Sequence, residues 1–228
     1  ALELLQLQPL DRVIAFEHEF AAAQGGAYCL AVNSGTSALE MGLAALRLPK
    51  GSEVILSPFT FMASATSILN AGLVPVFVDI DPETYNLNPA LVEPAINPRT
   101  SAIMAVHFGG LACDMQTLLD IASTYRLRIV EDAAHAHGGQ WNNQGLGAIG
   151  DVGCFSFQAS KNLNAGEGGA VLTNDRDIFS RAIEQHDLWA GGVLERGGQL
   201  GRGSLRTSEG WDFPVSAGDR RITPMQVA

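Results

Sequence analysis

The sequence predicts an α/β domain, a mainly parallel sheet with helices on both faces. Three observations carry that prediction. Strand-like and helix-like segments alternate along the chain, the pattern of parallel strands linked by helical crossovers. The strand-like runs are nearly continuous apolar stretches, so both faces of the sheet should be covered. Hydrophobic residues make up 46% of the 228 residues and charged ones 17%. That is enough apolar surface to offset the ordering entropy of a sizeable core, which excludes disordered and collagen-like classes.

Each element follows from its local pattern. Residues 12–23 place Val13, Phe16, Phe20 and Ala23 at helical spacing, and a short apolar run follows at 29–32. Residues 36–46 repeat the helical spacing with Leu39, Gly42, Leu43 and Leu46. The strand EVILS comes after Gly51, then a helix over 63–71, then the strand VPVFVDI. Residues 89–96 read as a short helix that ends ahead of Pro98, because the residue before a proline is pushed out of helical geometry. AIMAVHF is a strand, 115–125 an amphipathic helix and LRIVEDA a strand. The strands VGCFSF and GAVLT and a helix over 178–188 complete the pattern. In such sheets ligands sit beyond the carboxyl ends of the strands, so polar motifs are sought there.

The chain's end carries its own signal. Thr223-Pro224-Met225-Gln226 reads as a capping box with proline at the first helical position, yet Ala228 is the last residue. One turn does not recover the cost of helix nucleation. The expectation is one large domain over 1–215, with 216–228 opening a connection to a missing element. The first residue is Ala rather than Met, which points to processing or a late start.

Charge and cysteine usage narrow the partners. Fourteen Lys plus Arg against twenty-four Asp plus Glu give a net charge of -10, the wrong sign for a nucleic-acid binder. The uncharged stretch 54–78 contains Pro58, Asn70, Gly72 and Pro75, which suits strand, helix and strand better than a membrane span. The amino terminus has no basic region and no small-residue cleavage site. Cys29, Cys113 and Cys154 are odd in number and free of any CxxC. They read as buried, reduced thiols of a cytoplasmic protein, with no disulfide framework or zinc site favoured.

Several motifs bear on chemistry. Asn33-Ser34-Gly35-Thr36-Ser37 is a small-residue turn opening a helix. Unpaired amides and the positive dipole end make it a natural phosphate seat, although taken alone an ordinary cap is the favoured reading. Glu131-Asp132-Ala133-Ala134-His135-Ala136-His137 follows an apolar strand. There Asp132 could hold a protonated ring nitrogen and His135 reach a neighbouring oxygen. A surface turn, or a metal held by His135 and His137 without a third spaced ligand, are the competing readings. Gly145-Leu146-Gly147-Ala148-Ile149-Gly150 matches GxGxxG, but an apolar strand follows where the dinucleotide motif needs a helix. It is a loop. The chain has only two lysines: Lys50 lies in a Pro-Lys-Gly turn, whereas Lys161 follows a strand and precedes a glycine-rich turn. At the edge of the ligand crevice, partly desolvated, Lys161 is the one placed to act as a nucleophile.

A phosphate-type turn, the aromatic loop Phe59-Thr60-Phe61, the acid Asp132 and the pair Ser156 and Lys161 together suit one cofactor, pyridoxal phosphate. SGTSAL, PFTFMAS, EDAAHAHG and FSFQASKNLNAGEGG resemble, in this order, the DegT/DnrJ/StrS sugar aminotransferases of pyridoxal-phosphate fold type I. The resemblance runs from about Phe16 to the last residue, and the lysine motif is its most specific part. It implies that 1–215 is the cofactor-binding large domain and that the family's small carboxyl-terminal domain is absent from this chain.

Residue by residue, the resemblance implies that Lys161 forms the Schiff base and Asp132 pairs with the pyridine nitrogen. His135 takes the family's Gln or His place near the ring, and Phe61 stacks on the ring face. Gly35, Thr36, Ser37 and Ser156 hold the phosphate. It also implies an amino-acid donor (glutamate or glutamine), a keto sugar nucleotide or keto-cyclitol as acceptor, and a homodimer with the active site at the subunit interface. One departure stands out: Asp219 occupies the place of an Asn that reaches the partner's cofactor phosphate, so Arg220 or Arg221 must offset its repulsion. A dehydratase of the same family is a rival, but such members carry His where Lys161 stands. A non-catalytic sensor of the cofactor or of a sugar nucleotide is the other. His107 and Trp189 read equally as substrate-facing or core, and 191–210 as a loop near the site.

Overall fold

The computed structural model of the protein describes residues 9–189. Asp219, Arg220, Arg221, the 191–210 loop, the 223–226 capping box and the boundary at 215–216 lie outside the described residues, as does the side chain of Trp189. The helices are α1 (Pro9–Gln24), α2 (Gly35–Ala45), α3 (Met62–Asn70), α4 (Pro89–Ala95), α5 (Met115–Tyr125) and α6 (Arg176–Trp189). The strands are β1 (Tyr28–Val32), β2 (Glu53–Leu56), β3 (Val74–Phe77), β4 (Thr100–Val106), β5 (Arg128–Asp132), β6 (Gln140–Trp141), β7 (Gln144–Gly145), β8 (Val152–Ser156) and β9 (Gly169–Thr173).

Seven strands form one sheet in the order β1-β9-β8-β5-β4-β2-β3. The pairs from β8 through β3 are parallel, as the helical crossovers require. Only β9 runs against its neighbours β1 and β8, because no helix intervenes between β8 and β9 to carry the chain back.

The strands are buried on both sides, as their continuous apolar runs predict. Along β4, Ala102, Met104 and Val106 pack with α2 and α3 residues such as Leu39 and Ile68. Ile103 and Ala105 point the other way, against Met115, Leu118 and Ile121 of α5. On that second face α1 packs Phe20 against Phe155 and Leu172. Burying each of the larger of these side chains contributes about 1.5–3 kcal/mol. The helix ends follow local chemistry: Asp114 accepts from the Thr117 amide at 3.2 Å, Asn88 accepts from that of Ala90 at 3.1 Å ahead of Pro89, and Arg126 closes α5 in left-handed geometry.

One element was not expected. Gln140–Trp141 and Gln144–Gly145 pair as a hairpin through Asn142 and Asn143, both at positive φ (48° and 63°). Asparagine tolerates that conformation, which a two-residue hairpin turn needs. Among the described residues no helix is long and apolar enough to cross a membrane, and the three cysteines are buried and unpaired.

Candidate active site

A cavity of about 430 Å³ opens at the carboxyl edge of the parallel strands. Its wall comes from the starts of α2 and α3 and from the ends of β4, β5 and β8. Gly35, Thr36, Phe61, Asp132, His135, Ser156 and Lys161 all line it. Lys50 is exposed in its turn and stands apart from this wall.

The floor at α2 is a helix start with donors to spare. Ser34 caps the helix, its Oγ accepting from the Ser37 amide at 3.1 Å, and its carbonyl accepts from the Ala38 amide. The amides of Gly35 and Thr36 are the two this cap leaves over for a ligand. A Cβ on Gly35 would sit 2.7 Å from the Ser156 Cβ, so glycine is what lets the helix start lie against the end of β8. Ser37 needs a correction. It is buried, it does not line the cavity, and its hydroxyl donates to Asn33 Oδ1 at 2.5 Å. The cap consumes both donors of Ser37, its amide and its hydroxyl.

Asp132 ends β5 with 5% of its surface exposed. Its Oδ1 accepts from the Ala134 amide at 3.2 Å, and its Oδ2 from the Ser64 hydroxyl at 2.7 Å. Thr60 Oγ1 lies 2.7 Å from Ser64 Oγ. Three positions after Asp132, His135 turns edge-on to Phe108, and its Nδ1 accepts from the Gly109 amide at 3.3 Å. Burial, together with the charge of Lys161, lowers its pKa against the opposing pull of Asp132. A neutral ring accepting at Nδ1 carries its proton on Nε2.

Lys161 sits in a tight turn after β8, its amide donating to the Gln158 carbonyl at 2.8 Å. The turn is pinned from behind by a 2.7 Å contact between Asn162 Oδ1 and His137 Nδ1. His137 packs against Phe155 and Phe157 and is not part of the cavity wall. Among the described residues no cluster of His, Cys, Asp and Glu could hold a metal ion. Phe59 turns from the cavity to pack on Phe108 at 4.5 Å, leaving Phe61, 70% exposed, as the aromatic face on the wall.

His107 belongs to the core. It is fully buried, and its Nε2 lies 2.9 Å from Glu131 Oε2. Glu131 also accepts the amides of Gly147, Ile149 and Gly150 at 2.7, 2.8 and 2.6 Å. The GxGxxG run therefore does cradle an anion, but the anion is the chain's own carboxylate. Burial, the largest influence, opposes charge on His107, while the hydrogen bonds with Cys113 and Glu131 and the Glu131 carboxylate favour it. A second proton would have to sit on Nδ1, where the Cys113 amide already donates at 3.2 Å. That crowding decides for the neutral ring, its proton on Nε2 facing Glu131.

Sequence reasoning missed Ser34, Thr60, Ser64, Gln158, Ser160 and Glu167, which also line the cavity. Thr60, just ahead of the Phe61 cap of α3, and Ser64, four residues on in the first turn of the helix, meet across the helix start. Glu167 lies inside the glycine-rich run after the lysine, where its neighbours drew all the notice.

The mainly parallel sheet flanked by helices matches the fold of solved pyridoxal-phosphate transferases. The DegT/DnrJ/EryC1/StrS aminotransferase family matches residues 6–196, and the chain belongs to it. It is 46% identical over 178 residues to the UDP-N-acetyl-3-dehydro-alpha-D-glucosamine 3-aminotransferase of Acidithiobacillus ferrooxidans, covering 77% of this chain and 48% of that protein. It is 42% identical over 199 residues to the L-glutamine:scyllo-inosose aminotransferase of Streptomyces griseus, covering 86% and 46%. The crystal structure of 3-amino-5-hydroxybenzoic acid synthase superposes with a TM-score of 0.81 at 37% identity, covering 100% of this chain and 56% of that one. The chain thus spans about half the length of the relatives it matches.

Proposed function

We propose that the protein is a pyridoxal-phosphate-dependent aminotransferase that passes an amino group from glutamate or glutamine to a keto sugar nucleotide or keto-cyclitol. The observation that carries this reading is one cavity holding Lys161, the buried Asp132 and the open amides of α2. The residues fit the cofactor by type. The Gly35 and Thr36 amides and the Thr36 and Ser156 hydroxyls are donors for a phosphate. The exposed ring of Phe61 is an apolar face for a flat heterocycle. The two relatives are named for a keto sugar nucleotide and a keto-cyclitol, which supports the acceptor class.

Pyridoxal phosphate supplies an electron sink for charge developing at a substrate carbon. Each residue then has a defined task. Asp132, hydrogen-bonded at both oxygens, holds a proton on the ring nitrogen. His135 donates from Nε2 toward a ring oxygen, since Gly109 occupies its Nδ1. Lys161 Nζ would hold the cofactor at its aldehyde and, as a free amine, would move the proton at the donor's α-carbon. Lys161 also stands where the dehydratase reading requires His.

A homodimer with the site at its interface belongs to this proposal. Phe61, Met62 and Leu69 are 70%, 69% and 56% exposed beside the cavity mouth and along α3, an apolar surface of the kind that marks a contact. Unpaired thiols agree with a reducing cytoplasm.

Borohydride trapping with pyridoxal phosphate, followed by peptide mapping of both lysines, tests the assignment. A label confined to Lys161 is the expected result. A label on Lys50, or on neither lysine in the intact protein, overturns it.

A further inference from the structure

We infer that Ser64 is a positioning residue for Asp132, and that Thr60 completes the device. This rests on the proposed pairing of Asp132 with a ring nitrogen. Ser64 is 1% exposed, in the first turn of α3, at a buried helix position where a hydroxyl has no solvent to satisfy it. Its Oγ finds two partners, and both belong to the cavity wall: Asp132 Oδ2 at 2.7 Å and Thr60 Oγ1 at 2.7 Å.

The proton count fixes the direction of this chain of hydroxyls. A carboxylate only accepts, so the single Ser64 proton goes to Asp132. Ser64 must then accept from Thr60, and Thr60 turns its lone pairs, not its proton, toward the cavity. Each donation strengthens the next, because hydrogen bonds in series polarise one another.

The geometry makes Ser64 the tertiary hold on this carboxylate. The other bond to Asp132, from the Ala134 amide, is local and comes from its own loop. The Ser64 bond ties α3 to β5 across 68 residues of sequence. It sets the rotation of the carboxylate, and with it the direction in which the remaining lone pairs face. Without it the Oδ2 atom, buried and short of a donor, turns to find another partner.

The test is one of binding, not turnover. In the intact protein, pyridoxal phosphate and its 1-deaza analogue, which lacks the ring nitrogen, are titrated against wild type, Ser64→Ala and Thr60→Val. Ser64→Ala should weaken pyridoxal phosphate about tenfold, the scale of one charge-assisted hydrogen bond, and leave the analogue's Kd unchanged. Thr60→Val should show the same selectivity with a smaller loss. An unchanged Kd for pyridoxal phosphate, or an equal loss for both ligands, overturns the inference, since a merely structural defect would not discriminate a ring nitrogen. If Ser64→Ala does not fold, Thr60→Val decides on the same terms. Wild type that binds neither ligand overturns the proposed function and this role with it. Wild type that binds both, with no selective loss in the variants, overturns the role of Ser64 alone.

Discussion

Two turns in this protein offer backbone amides to an anion, and they differ in who supplies it. In the 145–150 loop the amides of Gly147, Ile149 and Gly150 close on the carboxylate of Glu131, which is fully buried. At the start of α2 the Ser34 cap takes the Ser37 amide, and the amides of Gly35 and Thr36 face a cavity. The first turn matches a well-known ligand motif and is structural. The second is an unremarkable cap by sequence and lines the candidate site. A turn of backbone amides becomes a binding site only where the chain leaves its donors unfilled.

The adjacent acids of β5 show the same division. Strand geometry sends successive side chains to opposite faces. Glu131 goes inward to the loop and His107, while Asp132 goes toward the cavity with Ser64 behind it.

The closed cradle is where a substitution should cost most. Glu131→Gln places an amide group against donors that now meet a carboxylate, so stability should fall by about 3 kcal/mol, the scale of breaking a buried charged network. The shift in urea midpoint at constant m-value measures it. A loss below about 1 kcal/mol would mean that the loop is held by packing instead. At the open cradle, Gly35→Ala drives a Cβ into Ser156. It should weaken pyridoxal phosphate about tenfold while costing only about 1–3 kcal/mol of stability, and unchanged affinity would show that the helix start is not the phosphate seat. The smallest effect belongs to Ser37→Ala. Losing the bond to Asn33 should cost about 1 kcal/mol with no change in cofactor affinity; a fall in affinity would restore Ser37 to the phosphate site.

Legibility in the sequence tracked the range of the forces involved. The bounds of α5 and β9 agree with those expected, since apolar spacing, caps and glycines act within a few residues. The β6–β7 hairpin escaped notice because two-residue strands carry no periodicity. Lys161, Asp132 and Gly35 were readable as candidates from motif and position. Ser64 was not, because its meaning lies in a partner far along the chain.

The sequence by itself determined the α/β class, the order of its elements and the family to which the chain belongs. These follow from hydrophobic period, turn residues and motifs, all local to the chain. Only the tertiary structure decided which amides stay open, that Ser37 serves its own cap, and that His107 lies in the core. It alone placed the Ser64 hydroxyl behind Asp132. A hydrogen-bond donor has few partners and must satisfy them when buried, and which partner it meets is settled by packing between distant segments.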